Sequence, residues 1–66
     1  MMDLRVGTKV RFIEPHRSPQ VHWGAIGVIV DMEARRTTFG AELYVRARFG
    51  DFITPWIEAW QLERVS

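Results

Sequence analysis

Between Glu42 and Thr54 apolar and polar side chains alternate and the chain then turns back on a glycine, a pattern that few folds accommodate. Leu43, Val45, Ala47 and Phe49 fall on one face, and Glu42, Tyr44, Arg46 and Arg48 on the other. A period of two is that of a strand with one face buried. Gly50-Asp51 follows, and then Phe52-Ile53-Thr54. A glycine at the first position of a two-residue loop suits a type II′ turn, because it takes the positive φ without a Cβ clash. The segment therefore predicts an antiparallel hairpin of defined register that shows Tyr44, Arg46 and Arg48 to solvent.

With 66 residues, the chain has room for one domain. A domain of this size buries only about 60% of its unfolded surface, so stability is expected to be marginal. The chain has no cysteine and two histidines, which leaves packing rather than disulfides or a structural metal to hold it together. Three tryptophans, four phenylalanines and one tyrosine supply that packing, and self-association would bury more. No apolar run is long enough to span a bilayer, and the first residues lack the basic and apolar regions of a signal peptide, so a cytoplasmic location without membrane attachment is expected. Nine basic and eight acidic residues leave a formal charge of +1. No global field steers the chain towards nucleic acid, and any basic surface is local.

Along the chain, Val10 and Phe12 alternate with Lys9 and Arg11 after the Gly7 turn, predicting a first strand over Lys9 to Ile13. Glu14 to Gly24 carries Pro15, Ser18, Pro19 and Gly24 and reads as a long loop. Ala25 to Glu33 predicts a second strand bent at Gly27, with Ile26, Val28, Val30 and Met32 on one side. Ala34 to Gly40 reads as a polar connection into the hairpin. Thr54-Pro55 ends the fourth strand, the spacing of Trp56 and Trp60 predicts one helical turn, and Leu62 to Val65 predicts a short closing strand.

Several of these stretches resemble the SH3-like barrel superfamily: Val6-Gly7-Thr8-Lys9-Val10-Arg11-Phe12, Gly24-Ala25-Ile26-Gly27-Val28-Ile29-Val30, Tyr44-Val45-Arg46-Ala47-Arg48-Phe49 and Leu62-Glu63-Arg64-Val65. Within it the pattern is similar to the small photosystem I accessory subunit, the variable chain of ferredoxin-thioredoxin reductase and the KOW-type barrels of ribosomal and transcription proteins. The resemblance covers nearly the whole chain. It implies an all-β fold, a small five-stranded SH3-like barrel with a long first loop and one helical turn before the last strand, in a single domain over residues 1–66. Trp23-Gly24 and the Leu62 to Val65 ending are also similar to the type II dihydrofolate reductases. Those enzymes carry Val-Gln-Ile-Tyr on the pore strand where this chain has Phe52-Ile53-Thr54-Pro55, so no catalytic residue carries over.

Other catalytic patterns are missing from the sequence, and neither an enzyme nor a cofactor is expected. His16 and His22 share a loop with Glu14 as the one nearby carboxylate, too few ligands for a metal site, and are read as solvated. Ser18 has no triad or elbow context and is read as a turn residue. Asp31, Glu33, Glu58 and Glu63 are read as solvated carboxylates, and no glycine pattern matches a phosphate cradle.

Two readings remain for binding. Trp23 and Trp56, which flank a shallow groove in folds of this kind, would anchor a protein partner, with Tyr44, Arg46 and Arg48 at its rim. Alternatively Tyr44, Arg46, Arg48 and the Arg35-Arg36 loop would contact nucleic acid, the arginines on phosphates and the tyrosine stacked on a base. Against the second stands the pairing of Arg46 and Arg48 with acidic cross-strand neighbours. Trp60 is assigned to the core. The favoured reading is a non-catalytic binding or assembly module with a protein partner.

Overall fold

A computed structural model describes residues 4–14, 21–22 and 24–65. Among them the fold is all-β: β1 (Lys9–Phe12), β2 (Gly27–Thr37), β3 (Gly40–Phe49), β4 (Phe52–Ile53), β5 (Ile57–Glu58) and β6 (Leu62–Arg64), with one 3₁₀ turn, Ala59–Gln61, before β6. The strands form one open antiparallel sheet in the order β4-β3-β2-β1-β6, and β5 pairs with β3 beyond the end of β4. No helix among the described residues is long and apolar enough to cross a membrane.

The hairpin of β3 and β4 follows the alternation that predicts it. Phe49 pairs with Phe52 across Gly50-Asp51, Gly50 has a φ of 63°, and no non-glycine residue among those described has a positive φ, as a type II′ turn requires. Val45, Ala47 and Phe49 are buried, whereas Leu43, further along the same face, lies beyond the core and is exposed.

β2 departs from expectation. Its core side is Gly27 and Ile29 and then, out of step with them, Met32, rather than the single row Ile26, Val28, Val30 and Met32: Ile29 is fully buried and Ile26 exposed. The cause is a bulge. Ile29 pairs with Ala47 but Asp31 with Arg46, so Val30 is an extra residue and the alternation shifts by one. Met32, opposite Val45, therefore packs on the core although it differs in parity from Ile29. Gly27 permits a close approach between strands. A Cβ there would sit 2.7 Å from Phe49 Cε2 and 2.8 Å from the Arg48 carbonyl oxygen, and Phe49 in turn stacks on Phe12 with 5.5 Å between ring centroids.

The expected polar connection from Ala34 to Gly40 is instead mostly sheet. β2 runs on to Thr37 and β3 begins at Gly40, leaving Thr38 and Phe39 as the turn. The Thr37 hydroxyl holds this turn, donating to the Gly40 carbonyl and accepting from the Phe39 amide. The first strand stops at Phe12 rather than Ile13. Among the described residues six strands stand where five were expected, because the chain after Thr54-Pro55 re-pairs briefly with β3.

The core joins Leu4, Val10, Phe12, Val21, Ile29, Val45, Ala47, Phe49, Ile57, Ala59 and Leu62. β1 lies between β2 and β6, which brings the last strand beside the first. Arg11 and Glu63 bridge β1 and β6 at 2.7 Å; both are largely exposed, so the pair contributes only about 0.2–1 kcal/mol.

Candidate binding surface

Residues directly opposite in an antiparallel pair share a face, so the register of β2, β3 and β5 assembles one outer surface. Asp31 lies opposite Arg46, Glu33 opposite Tyr44 and Arg35 opposite Glu42, while Tyr44 also faces Glu58 on β5. Trp56, two residues before Glu58, takes the same side and is half-buried.

The arginines lie over the rings. The Arg35 guanidinium is 4.5 Å from the Tyr44 ring centroid and 5.5 Å from that of Trp56, and Arg46 is 5.2 Å from Trp56. Each such contact is worth about 0.5–1 kcal/mol at an exposed site. Carboxylates fix the same two cations. Arg46 Nη2 donates to Asp31 Oδ2 at 2.9 Å, and Arg35 Nε donates to Glu33 Oε2. Arg46 Nε is buried without a partner among the described residues. The Tyr44 hydroxyl donates to Glu42 Oε2 at 3.3 Å. Partial burial, then the Glu42 and Glu58 carboxylates, raise its pKa above the ordinary tyrosine value, with Arg35 opposing.

The sequence-predicted residues are therefore only partly brought together. Tyr44, Arg46 and Trp56 join with Arg35. Arg36, opposite Ala41, is on the reverse face of the hairpin and cannot extend a patch with Arg35. Arg48 shares the outer face, is exposed and donates to the Gly50 carbonyl at 3.3 Å. Trp23 lies outside the described residues, as do Pro15, His16, Ser18 and Pro19. Among the described residues no three potential metal ligands cluster.

Trp60 corrects an assignment. It is not in the core but 62% exposed, and its indole N–H donates to Glu58 Oε2 at 3.1 Å, which adds a third aromatic ring beside the surface. The expected helical turn from Trp56 to Trp60 is confined to Ala59–Gln61, and β5 precedes it. Ile57 and Ala59 are buried between Trp56, Glu58 and Trp60, so this stretch follows a period of two rather than four. That alternation is present in the sequence and was the signal for Trp60.

No protein-family model matches the chain, and no curated protein or solved structure matches it.

Proposed function

We propose that this chain is a non-catalytic, cytoplasmic binding or assembly module of the SH3-like barrel type, docking a protein partner on the outer face of β2, β3 and β5 around Trp56. The barrel reading is supported by a first strand that pairs with both the second and the last, by the bulge in β2 and the close contact at Gly27, and by the 3₁₀ turn before β6.

The observation that carries the choice of partner is the charge on that face. Arg35, Arg46 and Arg48 stand among Asp31, Glu33, Glu42 and Glu58, and two of the three cations are already paired with carboxylates. A phosphate backbone is held by cations free to displace its counterions, and here it would meet an excess of carboxylates. A protein partner suits mixed charge around partly exposed aromatic rings, because such rings anchor interfaces while charges at the rim select the partner.

The test is a tagged chain and its Trp56→Ala variant, each incubated with nuclease-treated extract of cells that produce the protein. A partner protein retained by the wild type and lost from an equally folded variant is the expected result. Binding to single-stranded nucleic acid that falls about tenfold or more from low to physiological salt, and disappears when Arg46 and Arg48 are neutralised, would overturn the protein reading.

A further inference from the structure

Beyond its first two residues, β2 has one strand neighbour among the described residues. β1 pairs with it at Gly27 and Val28, and the Arg5 to Thr8 turn reaches only Ile29, where Gly7 N–H donates to the Ile29 carbonyl and Ile29 N–H to the Thr8 carbonyl. From Asp31 to Thr37 the edge away from β3 is unpaired among the described residues, and Glu33 to Arg36 are exposed. An open edge of this length is a template for another strand.

We propose that this edge joins a second copy of the chain, β2 against β2, antiparallel about a two-fold axis through Ala34. Charge selects that register. Centred on Glu33 or on Arg35, the pairing would set like charges directly opposite, which destabilises a sheet. Centred on Ala34, it sets Glu33 opposite the partner's Arg35 and Arg35 opposite the partner's Glu33. The in-chain pair of Arg35 with Glu33 then becomes a square in which every neighbour has the opposite sign. Charges that deter indiscriminate edge pairing thus favour one arrangement.

The register also accounts for two exposed apolar residues. Continued past Thr37, it brings Phe39 towards Ile29, where the β2 edge is already occupied by Gly7 and Thr8. Strand pairing stops there, and the hairpin tip of one copy abuts the Arg5 to Thr8 turn of the other. Phe39 is 99% exposed and Val6, in that turn, is 63% exposed. The two-fold axis runs perpendicular to the sheet, so the faces carrying Tyr44 and Trp56 lie on the same side of the dimer.

Sedimentation velocity over a wide concentration range, with no partner present, tests the proposal. The wild type is expected to show a reversible monomer–dimer equilibrium. Glu33→Arg and Arg35→Glu, each checked for a native circular dichroism spectrum, should each raise the dimer dissociation constant about tenfold or more, since two symmetry-related pairs turn repulsive. Mixed together, the two variants should recover dimer, because positions 33 and 35 are then both basic in one copy and both acidic in the other. A wild type that stays monomeric at every concentration overturns the proposal. So does a dimer indifferent to the swaps, or one that mixing fails to restore. Partner binding is read separately, so either result leaves the proposed function to its own test.

Discussion

Thr54 makes two hydrogen bonds to a single residue from within the core. Its amide donates to the Ala47 carbonyl at 2.9 Å, and its hydroxyl oxygen accepts from the Ala47 amide at 3.0 Å, with the residue 1% exposed. A lone threonine before a proline has no periodicity, which is why the sequence presents it only as the end of a strand. Thr54→Val keeps the shape but strands the Ala47 N–H, so urea unfolding should show a loss of about 1–3 kcal/mol. Thr54→Ser keeps the acceptor and should cost about 1 kcal/mol, the worth of a buried methyl group. Tyr44 carries a second prediction. It is the single tyrosine, so the ultraviolet absorbance of its phenolate reports on it alone. Its raised pKa places the midpoint above the ordinary value of about 10, and Glu42→Gln should lower it. The folded chain thus keeps a proton that the unfolded chain has begun to lose. This contribution to stability is complete below the ordinary tyrosine pKa and is lost as pH rises through the higher folded value.

At the scale of elements, the hairpin of β3 and β4 was legible because two independent signals agree there, side-chain alternation and a glycine turn. β2 was not, because a bulge has no signature in a single sequence: Val30 is as apolar as its neighbours, and the parity change it causes appears only in the pairing with β3. The turn at Thr38-Phe39 was missed for a related reason. Arg35-Arg36-Thr37-Thr38 reads as a polar loop when nothing shows that it forms a sheet edge. The same arrangement makes the sheet uneven in protection. From Asp31 to Thr37, β2 is supported by β3 alone, and β3 before Tyr44 by β2 alone, among the described residues. A two-stranded ribbon is marginal by itself, so amide hydrogens of residues 34–41 should exchange well before those of Ile29, Val45 and Ala47. Exchange followed by NMR at a concentration where the chain is monomeric would show this, and uniform protection along β2 would contradict it.

At the scale of the whole molecule, size dominates. A chain of 66 residues has a total stability of about 3–10 kcal/mol, so one core residue is a large fraction of it. Leu62 is fully buried on β6 and lies opposite Phe12 on β1, where the last strand pairs with the first. Leu62→Ala removes about 2–5 kcal/mol and should leave much of the population unfolded at room temperature. Trp60 is the contrasting case. Composition argues that so small a chain needs its tryptophans inside, and that argument fails here because Ile57, Ala59 and Leu62 supply the buried side of this stretch and leave Trp60 on the other. Trp60→Ala loses an exposed ring and one hydrogen bond to Glu58 and should change stability by about 0.5 kcal/mol at most. The two variants separate packing from exposure in one urea series. If Trp60→Ala proved as damaging as Leu62→Ala, the indole would have to pack against the core in solution.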